Sequence, residues 1–286
     1  MVNSTRVQQK YDLVQKVRRT LLYIIITVFA FVVLFPFLWM VLVAMKEEGE
    51  VFKLSLKLAK PFYKNFVDVW KNPYYPFWRF FLNSVIVSVS GGVITTFICA
   101  LGGYVFAKKD FYFKEPLFWF LLSTMMIPGM MFLVPQFAIV TKLRWMNTYQ
   151  GMVLPHVASV FGLFLMRQYM QTIPDEIIES ARIDGASELQ IFFKLIVPLS
   201  VTVITMLFLL SFLFHWSNFL WQLVVNTPES GKLTLPVGLA LYRGQYEVFW
   251  TKLMAASCYS IIPIVIIFLF AQKYFIQGLT IGALKE

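Results

Sequence analysis

Residues 174–198 read PDEIIESARIDGASELQIFFKLIVP and form a polar segment between two long apolar runs. Thr172 is a candidate N-cap for a helix whose first turn is acidic. Gly185 suits the left-handed conformation that often ends a helix. Ser187 followed by Gln190 is a capping-box pattern that starts another. The segment therefore predicts two short helices joined by a sharp turn. An amphipathic connector lying on the lipid surface has the same local pattern, and spacing alone does not separate the two.

The composition around this segment indicates an integral membrane protein. Of 286 residues, 59% are hydrophobic and 14% are charged, whereas soluble domains carry about 25% charged residues. A membrane-spanning helix needs about 20 apolar residues, and six uncharged runs of sufficient length predict six transmembrane helices in an all-α membrane protein. These runs are Leu21–Met45, Phe80–Ala107, Pro116–Thr141, Trp145–Met166, Leu195–Pro228 and Leu253–Gln272.

Three of these runs carry features that predict their geometry. The third contains Ile127-Pro128-Gly129, and Pro with Gly predicts a kink or a break. The fifth is longer than one span needs, so its second half is expected to continue as a loop. The second run has small residues at intervals of four, which predicts close helix packing within the chain. These small residues are Ser84, Ser88, Gly92, Thr96 and Ala100.

Charge predicts the orientation of the chain. Residues 1–20 carry several Lys and Arg against one acid, Asp12, so the positive-inside rule places this tail in the cytoplasm. Six spans return the chain to the same side. The expected divisions are a cytoplasmic N-terminal tail (1–20), a first transmembrane helix (21–45), a core of five further helices (80–278) that includes the 174–198 loop between helices 4 and 5, and a cytoplasmic C-terminal tail (279–286).

The sequence excludes several function classes. No Asp, Glu, Lys or Arg lies within the six runs, which disfavours an ion-coupled carrier because such proteins place ionisable groups at membrane depth. His156 and His215 are expected to be satisfied structural residues. The chain has no Gly-x4-Gly-Lys-Ser/Thr phosphate loop, and no metal-ligand cluster or catalytic pair is visible. ATP hydrolysis is therefore not expected in this chain.

Two polar residues are candidates for a translocation pathway. Gln136 follows Pro135 in the third run. Its side chain either lines the pathway or satisfies a carbonyl group that the proline leaves free. Asn218, near the middle of the fifth run, is the second candidate.

Residues Glu179–Ala186, ESARIDGA, resemble the EAA loop of binding-protein-dependent ABC importer permeases. The family pattern is Glu-Ala-Ala, two residues, then Asp-Gly-Ala, and Ser180 replaces the middle Ala here. Ile196–Pro198 matches the downstream end of that motif. Residues 214–221 and 271–283 are similar to maltose-type sugar permeases. The likeness covers roughly residue 21 to the end.

The resemblance implies a permease subunit that forms half of the pathway for a di- or oligosaccharide. It implies a second related permease, two ATPase subunits that hold ATP and magnesium, an external sugar-binding protein, and a prokaryotic inner membrane with both termini cytoplasmic. Glu179 would pair with a basic residue of the ATPase, and Phe192 or Phe193 would be an apolar anchor. The residues expected to couple to the ATPase are Glu179, Ser180, Ala181, Asp184, Gly185, Phe192 and Phe193.

A turn-rich segment after the fifth span resembles the loop that reaches into the docked binding protein in maltose-type permeases. An ordinary extracellular connector is the alternative. The residues that carry this resemblance are Pro236, Gly238, Tyr242, Gly244 and Tyr246. For the whole chain, the alternative functions are a self-contained secondary carrier or channel and a membrane-bound enzyme. The lack of charges in the apolar runs and the helix-turn-helix pattern of residues 174–198 disfavour the carrier or channel. An enzyme would need a reactive cluster at an interface, and none is visible in the sequence.

Overall fold

The protein is described here by a computed structural model. The structure describes the backbone of residues 2–53, 57–74, 76–243 and 248–283, and the side chains of 15–53, 57–74, 76–243 and 248–272. Helices dominate these residues. In chain order they are α1 (Val2–Ala44), α2 (Lys64–Trp70), α3 (Phe77–Lys108), α4 (Lys114–Ser123), α5 (Leu133–Lys142), α6 (Tyr149–Val153), α7 (Val160–Met170), α8 (Asp175–Ile183), α9 (Glu188–Ile191), α10 (Val197–Leu199), α11 (Val201–Ser217), α12 (Leu220–Val225), α13 (Leu235–Leu241) and α14 (Trp250–Ala283).

The described helices form up to six candidate membrane spans. Three are continuous and lie within α1, α3 and α14. The other three are bent pairs. Their halves are Lys114–Met126 with Gly129–Lys142 at 94°, Tyr149–His156 with Val160–Met170 at 52°, and Glu188–Leu199 with Val201–Ser217 at 82°. Six spans, by length and composition, therefore agree with the six apolar runs.

The break in the third span lies where Pro128 and Gly129 predict it. Ile127 and Pro128 adopt extended backbone with ψ values of 122° and 126°. Proline cannot donate to the helical ladder and disfavours the helical conformation of the residue before it. The chain therefore leaves the helix at this point and turns through 94°.

The expected loop in the second half of the fifth run is wrong, because α12 forms there after a break at Asn218. Two side chains of α12 hold it against α6. The Trp221 indole N–H donates to the Gly151 carbonyl at 3.0 Å, and the Gln222 amide donates to the Met152 carbonyl at 3.2 Å. These acceptors lie 70 residues away in the chain, so local sequence does not reveal them.

Helix α3 lies at the centre of the packing and contacts both α7 and α11. All five small residues of its stripe are buried. A side-chain carbon added at Gly92 would lie 3.0 Å from the Phe208 ring of α11, so the small residue permits this close approach. The prediction of internal packing is confirmed.

Both ends of the described part of the chain are helical. Helix α1 begins at Val2, so the segment predicted as an N-terminal tail continues the first helix. Residues Gln15–Ala44 contain the candidate span, and its most apolar window is 0% buried. Helix α14 continues through the first part of the predicted C-terminal tail to Ala283, and residues 284–286 lie outside the described part.

Candidate functional site

Residues 174–198 form the predicted pair of short helices, which we call the helix-turn-helix segment. Gly185, between α8 and α9, has a φ of +80°, which glycine adopts without a steric cost. The Ser187 hydroxyl accepts from the Gln190 N–H, and the Gln190 side chain accepts from the Ser187 N–H. The turn and the capping box are therefore confirmed. Thr172 does not cap α8, because its hydroxyl donates to the Tyr169 carbonyl at 2.8 Å.

The C-terminal end of α3 holds the start of α8. The Lys108 ammonium lies 2.7 Å from a carboxylate oxygen of Asp175, the first residue of α8, and also donates to the Ile173 carbonyl. The Lys108 side chain is only 4% exposed. The positive charge of Lys108 therefore interacts with the start of α8 rather than with solvent.

The start of α9 is tied to the same end of α3 through Glu188. The Glu188 carboxylate pairs with Lys109 and accepts from the Tyr104 hydroxyl at 2.9 Å. It also accepts from Arg182 of α8 at 3.1 Å. One carboxylate thus links α3, α8 and α9.

Around its turn, the outer surface of the helix-turn-helix segment is polar apart from two large apolar side chains. Glu179, Asp184 and Gly185 are exposed. Ile183 and Leu189, which flank the turn, are 86% and 66% exposed. Of the other predicted coupling residues, Ser180 is exposed and Ala181 is half-buried.

Phe192 does not lie on this surface, contrary to its expected role as an anchor. It is 2% exposed, and its ring centroid lies 5.6 Å from that of Tyr104 in the core. Phe193 is 51% exposed and stacks on Phe97 of α3 at 6.5 Å. A π-helical turn at Phe192–Ile196 changes the residue spacing from that of an α-helix, so spacing in the sequence does not show which of these side chains face the core.

A second feature is a cleft between the broken spans, which we call the polar cleft. It consists of two adjoining cavities of about 500 and 460 Å³ that share Gln136, His156 and Phe214. Thr95 and His215 line the first cavity, and Asn218 lines the second. The structure therefore brings both pathway candidates, Gln136 and Asn218, to one cleft.

Three interruptions of helical structure meet at the polar cleft. Gly129 follows the break in the third span, Ser159 lies at the bend of the fourth, and Asn218 separates α11 from α12. All three residues line the cleft. Irregular backbone at membrane depth is tolerated where it is buried in protein or lines a water-filled cavity. The breaks thus favour a functional cleft rather than continuous packing.

The sequence suggested that both histidines of the cleft are satisfied structural residues, but three of their ring nitrogens have no partner among the described residues. His215 is 3% exposed, and neither of its ring nitrogens has a hydrogen-bond partner among the described residues. The same holds for His156 Nδ1 and for the Thr95 hydroxyl. The centroids of the His156 and His215 rings lie 6.5 Å apart. The sequence showed two histidines in apolar runs but not that they meet.

Two of the five residues expected to face a binding protein, Gly238 and Tyr242, are buried, and the role of the segment stays a prediction. Pro236 and Gly238 lie in α13, and a side-chain carbon at Gly238 would clash with the Phe80 ring of α3. Tyr242, at the end of α13, is 2% exposed. Residues Gly238 and Tyr242 are therefore not at a loop tip. The remaining two candidates, Gly244 and Tyr246, lie outside the described residues.

The family model for binding-protein-dependent transport system inner membrane components matches residues 92–281. The chain belongs to this family. The match begins within α3 and includes both the polar cleft and the helix-turn-helix segment, so the two features described above are parts of a transport-system membrane subunit.

Individual relatives of this permease agree over nearly their full length. The chain is 35% identical over 260 residues to the arabinooligosaccharides transport system permease protein AraQ of Halalkalibacterium halodurans, covering 90% of this chain and 92% of the relative. It is 34% identical over 271 residues to the trehalose/maltose transport system permease protein MalG of Thermococcus litoralis, covering 94% and 97%.

A solved structure has the same fold as this permease. A chain of a bacterial ABC transporter involved in the import of the acidic polysaccharide alginate matches with a TM-score of 0.77. The match covers 91% of this chain and 97% of that one at 23% sequence identity.

Proposed function

We propose that this permease forms half of the translocation pathway of an ATP-driven importer for a di- or oligosaccharide. In this proposal the polar cleft is part of the pathway, and the helix-turn-helix segment docks on a separate ATPase. The relatives named for arabinooligosaccharides and for trehalose and maltose support the sugar class.

The observation that carries the proposal is that one rigid helix joins the two features. Tyr104 and Lys108 of α3, with Lys109 directly after it, hold the helix-turn-helix segment. Thr95 of the same helix lines the polar cleft. Helix α3 is continuous over 32 residues and contains no proline. At about 1.5 Å per residue, the 13 residues from Thr95 to Lys108 span roughly 20 Å. A displacement of the segment would therefore be transmitted to the cleft.

The proposal includes the partners that the family resemblance implies. A second related permease completes the pathway, two ATPase subunits hold ATP and magnesium in the cytoplasm, and an external binding protein delivers the sugar. The basic N-terminal segment favours cytoplasmic termini, which also puts the helix-turn-helix segment on the ATPase side. Nothing in this proposal requires a cofactor in the permease itself.

The docking surface is revised from the sequence-based expectation. Ile183 and Leu189 replace Phe192 as the apolar contacts, because they are exposed and flank the turn. Glu179 is exposed beside them and would pair with a basic residue of the ATPase. Removing one partner from a buried ion pair costs about 3–5 kcal/mol, which is large enough to shift a two-state equilibrium between inward- and outward-facing forms.

Co-purification of the ATPase with substituted permeases tests the proposal. Ile183→Asp and Leu189→Asp should each reduce ATPase recovery, because a charge would be buried at the contact. The matched control is Phe52→Asp, since Phe52 is 84% exposed and lies between α1 and α2. Equal ATPase recovery in all three variants would refute the docking surface. Sugar uptake by the permease without any ATPase would instead support a self-contained carrier.

A further inference from the structure

We infer that this chain itself holds substrate in the polar cleft, and that the ligand is an uncharged polyhydroxylated molecule. The inference rests on the proposed function and extends it, because a pathway subunit need not contact the substrate. The side chains that carry it are Thr95, Gln136, His156, His215 and Trp221.

Several buried polar atoms at this cleft have no hydrogen-bond partner among the described residues. His215 and Thr95 are 3% and 2% exposed, yet both nitrogens of His215 and the Thr95 hydroxyl have no partner among the described residues. His156 Nδ1 adds a fourth such atom. Burying a polar group without a hydrogen bond is unfavourable. These atoms therefore have hydrogen-bonding capacity to offer a bound molecule.

The chemistry of these groups matches hydroxyl groups. A neutral imidazole has one donor and one acceptor nitrogen, and a threonine hydroxyl and a glutamine amide also combine both functions. Each hydroxyl of a sugar likewise donates and accepts. None of the described residues lining the two cavities is Asp, Glu, Lys or Arg. An anionic ligand would lose its hydration here without gaining a charged partner, so the cleft favours an uncharged ligand.

Aromatic rings complete the site. The His156 ring lies 5.2 Å from the Trp221 ring and 5.6 Å from the Phe214 ring, between centroids. The Trp221 indole is fixed by its bond to the Gly151 carbonyl at 3.0 Å. Aromatic rings provide rigid apolar surface, which suits the C–H face of a sugar ring. The two cavity volumes lie within the range of about 300–1,000 Å³ found for small-molecule sites.

Adjacent threonines provide the decisive comparison. Thr95 and Thr96 are consecutive in α3, both are buried, and neither hydroxyl has a partner among the described residues. Thr95 lines the polar cleft, whereas Thr96 lines an apolar groove with Phe97 and Phe208. Thr95→Val and Thr96→Val therefore remove the same group from the same helix, and only the first removes it from the proposed site.

The experiment measures ligand binding to the complete permease–ATPase complex in nanodiscs, without the binding protein. The probes are radiolabelled arabinotriose, maltotriose and trehalose, with sn-glycerol 3-phosphate as the anionic probe, in equilibrium dialysis. At least one neutral probe should bind. Thr95→Val should raise its Kd about three- to tenfold, as expected for one lost hydrogen bond, and Gln136→Leu should have a similar effect. Thr96→Val should leave the Kd unchanged.

The outcomes separate this inference from the proposed function. Absence of binding by every neutral probe, equal Kd values for all variants, or equally tight binding of sn-glycerol 3-phosphate would overturn the inference. ATP-dependent sugar uptake by the complex with its binding protein tests the proposed function independently. If Thr95→Val fails to assemble, the comparison of Gln136→Leu with Thr96→Val decides.

Discussion

The attachment of α8 to the end of α3 is the feature of the coupling proposal most open to measurement. Lys108→Met should loosen this attachment while retaining the length of the apolar stem. The Lys108 side chain is 4% exposed and bonds to both the Ile173 carbonyl and the Asp175 carboxylate. Methionine offers neither acceptor a donor, so the start of α8 should open more often.

The structure sets the expected magnitude. A hydrogen bond from a charged group contributes about 1.5–3 kcal/mol. The Asp175 side chain is 72% exposed, so solvent screening limits its pair with Lys108 to about 0–1 kcal/mol. We therefore expect a loss of about 2 kcal/mol in the local opening free energy, which corresponds to roughly 30-fold faster amide exchange.

Hydrogen–deuterium exchange of the purified complex is the appropriate assay. Amides of residues 175–183 should exchange faster in Lys108→Met, and amides in the centre of α3 should not. Lys194→Met is the control, because Lys194 is exposed in the same segment and belongs to none of the described ion pairs. Unchanged exchange in α8, or the same acceleration in the control, would refute the argument that α3 holds α8.

Four further predictions follow from the structure. Gly185→Val should weaken ATPase recovery, since a φ of +80° costs a non-glycine residue about 1–2 kcal/mol. Gly185→Asn should preserve recovery better, and equal recovery in both variants would argue against conformational strain. Glu179→Ala should leave membrane insertion intact but lower sugar uptake and the ATPase activity stimulated by the binding protein; near-normal values for both would count against its role. Gly238→Val should reduce the yield of folded permease, because its side chain would meet the Phe80 ring, and a normal yield by size-exclusion chromatography would show that α13 can move away. Because the Glu188 carboxylate pairs with Lys109 and accepts a hydrogen bond from Arg182, Glu188→Gln should loosen the start of α9. Amide exchange in α9, measured at one pH, should then be faster in Glu188→Gln than in the wild type; equal exchange would contradict this.

The fold class and several local details could be predicted from the sequence. The six apolar runs, the break at Pro128, the turn at Gly185 and the capping box at Ser187 all depend on groups within a few residues of one another. Backbone sterics and short-range hydrogen bonds impose these features in almost any tertiary context. The resemblance of ESARIDGA to a known loop also led to the family.

Only the tertiary structure decided which side chains are buried and which distant residues come together. Phe192 and Tyr242 looked available for partners but are packed in the core, because their neighbours come from distant helices. The Asn83 amide, for example, donates to the Leu233 carbonyl 150 residues further along the chain. The meeting of His156 with His215 depends on the packing of separate spans in the same way. Local sequence determined where this chain bends and where it can cross a membrane, whereas packing between distant segments determined which side chains are left to face a ligand or a partner.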